Sequence, residues 1–130
     1  MKIVLSSFLI VIVFLISDVS AISSPAKGQI HNRTNAIKSL TIGLQSDNIG
    51  LRTSSIYMLG ELKSDESVIG LMKILRTDEC EEARILAALS LYKIGDARGI
   101  NAIKQSIRFD DSERVKRSCQ LFYQSYMNEN

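Results

Sequence analysis

The side chains that most often carry catalysis or bind metals are scarce in this sequence. It contains a single histidine, His31, which excludes a metal site built from two histidines. The same scarcity excludes a serine–histidine or cysteine–histidine catalytic pair, because His31 lies in a segment with no apolar periodicity. The 7 glycines are scattered and form no phosphate-binding loop. The sequence therefore indicates no catalytic centre and no cofactor.

Three glutamates, Glu79, Glu81 and Glu82, surround Cys80. Carboxylates bind cations, but acidic residues are also common in the first turn of a helix, where they interact favourably with the helix dipole. The second explanation is the simpler one, so no metal site is predicted.

The two cysteines, Cys80 and Cys119, are predicted to be unpaired. In the repeat described below, Ser112 is the equivalent of Cys80, and Cys119 lies seven residues beyond it. Seven residues span about 10 Å along a helix, whereas a disulfide needs Cα atoms within roughly 7 Å. We expect Cys119 to be a small buried residue and Cys80 to lie near a helix start.

The N-terminal segment has the features of an export signal. Met1-Lys2 precedes a run from Ile3 to Ile16 with no charged residue, which is shorter than the about 20 residues of a membrane-spanning helix. A basic start and a short apolar run are typical of a secretory signal peptide. We predict a signal peptide over residues 1–21, with an uncleaved anchor as the alternative, and a flexible lead-in over residues 22–34.

Two expectations about location and partners follow. Cleavage after Ala21 would give an exported protein, periplasmic or associated with a bacterial envelope, without stable membrane insertion. The formal net charge is only +2, so electrostatics gives no reason to expect nucleic acid as a partner.

From Arg52 onwards the sequence repeats itself without a gap every 32 residues (84 − 52). Arg52 aligns with Arg84, Leu59 with Leu91, and Asp78 with Asp110. A fixed period of this length is typical of stacked supersecondary elements that bury a continuous core between them.

Each repeat contains two stretches with apolar residues at helical spacing. An acidic residue separates the two stretches, and Gly95 is positioned to end the second stretch of the middle repeat. No stretch alternates as a strand does. We predict an all-α domain of three helix pairs over residues 35–127, followed by a tail of residues 128–130. The apolar positions of the middle repeat are Val68, Leu71, Met72, Leu75, Ala83, Ala87, Leu91 and Ile94.

The middle repeat resembles the bacterial HEAT repeat of the class also called phycobilisome-lyase-like. The matching pattern is Ala83-Arg84-x-x-Ala87-Ala88-x-x-Leu91-x-x-Ile94-Gly95-Asp96. This resemblance implies an α-solenoid, a superhelix of stacked helix pairs. It also implies a structural ladder in which recurring acidic and basic residues link neighbouring pairs, formed here by Asp47, Asp78 and Asp110 with Arg52, Arg84 and Lys116.

The second helices of such a stack line a concave groove that usually binds partners. Apolar and aromatic residues recur on these helices and form a candidate groove, although they could instead belong to the core. If exposed, they would favour binding of a protein. The candidates are Tyr57, Leu89, Leu121, Met58, Phe122 and Tyr92.

We therefore expect a non-catalytic protein-interaction module or scaffold. The alternatives are a lyase-like enzyme or an accessory subunit of an enzyme, and a regulatory inhibitor that binds through the groove. The last helix is rich in aromatic residues, so its C-terminal end, with Phe122 and Tyr126, is also expected to dock a partner or a second copy, which would give a homo-oligomer.

Overall fold

The computed structural model describes residues 27–130, and all regular structure in this range is helical. The all-α solenoid fold and its three helix pairs are thus confirmed. None of the helices in this range is long and apolar enough to cross a membrane. The predicted signal peptide lies outside the described residues.

The six helices are α1 (Lys27–Gly43), α2 (Ile49–Glu61), α3 (Val68–Thr77), α4 (Glu81–Ile94), α5 (Ala97–Phe109) and α6 (Glu113–Glu129), and a 3₁₀ turn (Asp65–Ser67) precedes α3.

Residues 34–130 form one compact unit, and the packing described here concerns that unit. The second helices of the three pairs, α2, α4 and α6, lie side by side in one layer, and we call them the long helices by their place in the repeat. Helices α3 and α5 pack together in a second layer. Helix α4 contacts α2, α3, α5 and α6, so it occupies the centre of the stack.

Both ends of the described segment are more helical than the sequence analysis expects. Helix α1 begins at Lys27, so residues 27–34 of the predicted flexible lead-in are helical. Helix α6 continues to Glu129, within the predicted tail. Apolar periodicity reports burial rather than helix formation. It therefore misses helical turns whose side chains are exposed.

Most of the apolar residues that the repeat pattern identifies are buried. Ser55, Ala87 and Cys119, which are equivalent residues of successive repeats, are all at most 1% exposed. Leu59 and Leu91 are fully buried beside them. Small side chains let the helices approach each other and large aliphatic ones fill the space between layers, which gives the close packing of a protein interior.

The contact between α2 and α4 is close enough to involve the backbone. The hydroxyl of Ser90 on α4 donates a hydrogen bond of 2.8 Å to the carbonyl oxygen of Ile56 on α2. A Cβ atom added to Gly60 would lie 2.5 Å from Ser90 Oγ and 2.8 Å from Ser90 Cα. Glycine is therefore required at position 60 by the approach of the neighbouring helix.

We expect Gly60→Ala to destabilise the protein by about 1–3 kcal/mol, because the added methyl group forces the two helices apart. Gly70→Ala on α3 is the matched control, since its Cβ would meet only the tip of the Leu44 side chain, at 3.0 Å. There the higher helix propensity of alanine, worth up to about 1 kcal/mol, offsets the crowding. Urea denaturation measures both changes, and equal effects of the two substitutions would contradict this account.

Helix α4 ends and α5 begins within two residues. Gly95 ends α4 in the left-handed conformation, with φ of 76°, as predicted. Asp96 then caps α5 by accepting a 2.8 Å hydrogen bond from the backbone N–H of Arg98. The Arg98 guanidinium also pairs with the Asp96 carboxylate at 3.0 Å. Chiefly because of this side-chain pairing, the pKa of Asp96 is lowered from 3.8 to about 2.

This lowered pKa makes the stability of the protein depend on pH in a defined window. A carboxylate whose pKa is lower in the folded state adds stability above its unfolded pKa, and that stability is lost as the pH falls through the folded pKa. The Asp96 contribution is therefore complete above pH 3.8 and disappears towards pH 2. Asp96→Asn keeps a good capping residue but cannot titrate. We expect the parent to lose more stability than Asp96→Asn between these two pH values in urea titrations, and parallel curves would refute this.

Candidate functional site

Two arginines connect consecutive helix pairs through bidentate ion pairs, which we call rungs. Arg52 on α2 donates from Nε to Asp78 Oδ2 at 2.8 Å and from Nη2 to Asp78 Oδ1 at 3.3 Å. Arg84 on α4 contacts Asp110 in the same way at 3.1 and 3.0 Å. The structure therefore brings together four of the six residues of the implied ladder.

Each rung also organises the loop in which its aspartate lies. Asp78 Oδ1 accepts a hydrogen bond from the backbone N–H of Cys80, and Asp110 Oδ1 accepts one from the backbone N–H of Ser112, both at 2.9 Å. Arg84 Nη1 donates to the backbone carbonyl of Asp78 at 2.8 Å. Asp78 is thus not the capping residue of α4, a position held by Cys80, but it fixes the turn that leads into this helix.

Asp47 and Lys116 do not belong to the ladder, which corrects the sequence analysis. Arg52 Nη1 contacts the carbonyl of Ser46 at 2.6 Å, so Ser46 occupies the position of Asp78. This register places Asp47 one residue further on, in the position of Asp111. Lys116 pairs with Glu113 on its own helix at 2.9 Å, because no further helix pair follows α6 within residues 27–130.

Two further ion pairs cross the surface of the long helices, which we call the long-helix face. Lys93 on α4 pairs with Glu61 on α2, and Arg114 on α6 pairs with Glu82 on α4 at 2.9 Å. Both pairs join residues that are one repeat apart in the sequence. Residues at this spacing therefore lie side by side on consecutive long helices. The sequence analysis missed both pairs, although opposite charges one repeat apart were a usable signal.

Between these ion pairs lies an apolar stripe formed by Tyr57, Leu89 and Leu121. Leu89 follows Glu82 by seven residues and precedes Lys93 by four, so all three share one face of α4. Tyr57 is 43% and Leu121 64% exposed, whereas Leu89 is half-buried. Three of the predicted groove residues thus form a line across the long-helix face.

The Lys93–Glu61 pair fixes one end of the stripe. Hydrogen bonding between the two side chains lowers the pKa of Glu61 and raises that of Lys93, so both remain charged near neutral pH. The Lys93 ammonium also lies 4.9 Å from the centre of the Tyr57 ring, where a cation is attracted by the aromatic face. Tyr57 is therefore held in place while part of its surface stays accessible.

The other three predicted groove residues lie elsewhere. The rings of Tyr92 and Phe122 stack with centroids 6.0 Å apart, and both pack against the core. They belong to the contact between α4 and α6, in agreement with the alternative that these residues pack in the core. Met58 is 43% exposed, but its equivalents Ser90 and Phe122 each contact the preceding long helix, so Met58 faces the N-terminal end of the layer.

The aromatic residues near the C-terminal end are Phe122, Tyr123 and Tyr126, and all three are half-buried and pack against the core. Gln120 and Gln124 are exposed instead. Their equivalents one repeat earlier, Ala88 and Tyr92, are buried or half-buried, since α6 covers them. The outer side of α6 is therefore polar, as terminal repeats of soluble solenoids require.

The cysteine and acidic side chains of residues 27–130 were the other candidates for chemistry. Both cysteines are free, as predicted, and burial together with the Asp110 charge raises the pKa of Cys119 to about 12. In this range no group of three or more histidine, cysteine, aspartate or glutamate side chains is arranged to hold a metal ion. The long-helix face, which carries the exposed Tyr57 and Leu121, is the candidate functional site.

The sequence model that describes HEAT repeats matches residues 37–121, which is more than half of the chain. The chain belongs to the HEAT-repeat family. The matched segment begins within α1 and ends in α6, so it includes both rungs and the whole stripe. HEAT repeats generally mediate protein interaction or scaffolding. No curated protein matches the chain.

The rungs of this HEAT-repeat protein make a stability prediction. Arg84 and Asp110 have side chains only 9% and 6% exposed, so Arg84→Met leaves a buried carboxylate without its partner. We expect a loss of about 3–5 kcal/mol, the usual cost of breaking a buried ion pair from one side.

Lys116→Met is the matched control, because it changes the equivalent residue of the next repeat. Within residues 27–130, Lys116 forms its ion pair with exposed Glu113, so its loss should change stability by about 0.5 kcal/mol or less. The free energies of unfolding from urea denaturation decide the comparison. A loss of similar size in both variants would show that the rungs do not carry the predicted energy.

Proposed function

We propose that this protein is a non-catalytic interaction module that binds a protein partner through the long-helix face. The observation that carries the proposal is the apolar stripe of Tyr57, Leu89 and Leu121, flanked on both sides by ion pairs. Membership of the HEAT-repeat family supports it, because the proteins of this family generally act in protein interaction or scaffolding.

The arrangement of the stripe suggests how a partner is recognised. Exposed aromatic and aliphatic side chains surrounded by polar residues are the usual anatomy of a protein interface, in which a few central residues carry most of the binding energy. The charged residues beside the stripe already form ion pairs with each other, Glu61 with Lys93 and Glu82 with Arg114. They therefore form a polar rim, and affinity would come mainly from burial of the apolar centre.

We also propose that the protein is bacterial and acts outside the cytoplasm, in the periplasm or at the envelope. This rests on the sequence of residues 1–21 and on the bacterial style of the repeat pattern. An exported module with this face would serve as a scaffold or adaptor for another exported protein.

The stripe proposal is tested with the full chain as bait in an envelope extract of its source organism. We expect Tyr57→Ser with Leu121→Ser to weaken partner binding at least tenfold, since each central interface residue is worth more than about 1 kcal/mol. Tyr57 and Leu121 are 43% and 64% exposed, so this double variant should keep the stability of the parent.

The matched control carries Ile42→Ser and Ile69→Ser. These isoleucines are 75% and 60% exposed but belong to α1 and α3 rather than to the long helices. The control should retain the same partner at parental affinity in a quantitative binding assay. A partner that binds both double variants equally well, or that is lost from the control alone, would contradict binding at the long-helix face.

A further inference from the structure

The N-terminal end of the long-helix layer is apolar at positions that the other repeats bury. Ala83 and Val115, which are equivalent residues of α4 and α6, are fully buried, whereas their counterpart Leu51 on α2 is 54% exposed. Seven residues later, Ser90 is 1% exposed, while its counterpart Met58 is 43% exposed. Leu51 and Met58 are two turns apart, on the same side of α2.

The contacts of the later repeats show what this side of a long helix binds. Ser90 donates to the backbone of Ile56 on the preceding long helix, and the Phe122 ring stacks on Tyr92 of the preceding long helix. Leu51 and Met58 thus present the side that receives a preceding helix, and no long helix precedes α2 within residues 27–130.

A free carboxylate completes this surface. Asp47 occupies the position of Asp111, which accepts a 3.0 Å contact from Nη2 of Arg84 in the preceding helix pair. Asp47 is exposed and forms no ion pair among residues 27–130. We call Asp47, Leu51 and Met58 the end face. It carries an apolar surface and, at the position of Asp111, an acceptor for a cation, whereas the position of Asp110 is held by Ser46.

A second copy of this chain is a poor match for the end face. The opposite end of the layer presents Lys116, Gln120 and Gln124. Helix α4 presents Arg84, Ala88 and Tyr92 at these positions. In α6, glutamines with exposed amides therefore stand in place of Ala88 and Tyr92. Head-to-tail stacking of two copies would therefore bury glutamine side chains against Leu51 and Met58, which costs free energy unless their amides find hydrogen-bond partners.

We propose that the end face docks a helix of a different protein, one that presents an arginine followed by apolar or small residues one and two turns later. Helices of this kind occur twice within the stack. Helix α2 presents Arg52, Ile56 and Gly60, and α4 presents Arg84, Ala88 and Tyr92. The partner helix would continue the stack, its guanidinium on Asp47 and its apolar residues on Leu51 and Met58. This inference does not depend on the long-helix stripe.

The test converts one full-length chain into a donor of such a helix. The donor carries Lys116→Arg, Gln120→Ala and Gln124→Tyr. These substitutions give the outer side of α6 the residues that α4 presents to α6. Met58→Glu in the same chain blocks its own end face. The unmodified full-length chain is the acceptor. We expect sedimentation velocity of the mixture to show a 1:1 complex, whereas each chain alone remains a monomer.

The controls are two variant acceptors. Leu51→Glu should abolish the complex, and Ile69→Glu, which changes an equally exposed residue of α3, should leave it unchanged. A second donor copies α2 instead, with Lys116→Arg, Gln120→Ile and Gln124→Gly, so the test does not rest on the folding of one design. Circular dichroism confirms that the donors are folded.

Several outcomes would overturn the proposal. Folded donors of both designs that fail to bind the acceptor would show that the end face does not recognise this kind of helix. A complex that survives Leu51→Glu would place the contact elsewhere. An unmodified chain that self-associates, and becomes monomeric on Met58→Glu, would make a second copy the occupant.

Discussion

The buried guanidinium of Arg84 is the constraint on which the rest of the stack depends. A charge removed from water is tolerated only when its donors are satisfied by partners with good geometry. Asp110, Asp111 and the backbone carbonyl of Asp78 provide these partners. No buried side-chain nitrogen or oxygen lacks a hydrogen-bond partner in the part of the chain that the structure describes.

Satisfying that guanidinium fixes the register between helix pairs. Its contacts reach the loop of its own pair and the loop of the next, so a slip of one residue would leave donors unpaired. With the register fixed, equivalent side chains of successive repeats align across the long helices, as the Glu61–Lys93 and Glu82–Arg114 pairs show. The apolar stripe is a consequence of this alignment, because it places Tyr57, Leu89 and Leu121 in one line.

The sequence was sufficient where a residue has the same surroundings in every repeat. The burial of Ser55, Ala87 and Cys119 could be predicted because periodicity reports shared packing. It failed at the ends, where surroundings differ. The sequence alone does not show that the side chains of Phe122 and Tyr126 point towards the core, so it suggests an exposed aromatic end. Asp47 looks like a ladder residue until the contact of Arg52 with Ser46 reveals the register. Single residues in loops carry no periodic signal, so only coordinates could place them.

The central position of α4 bears on how this protein folds. Helix α4 contacts α2, α3, α5 and α6, and most partners of each helix are close in the chain. Topologies with such local contacts fold quickly, because little loop entropy is lost before contacts form. A nucleus that contains α4 and its neighbours can grow towards both ends, and the terminal helices can open without dissolving it. The first and last helix pairs are therefore the places where local opening costs least, and α4 is the segment whose amide hydrogens should exchange last.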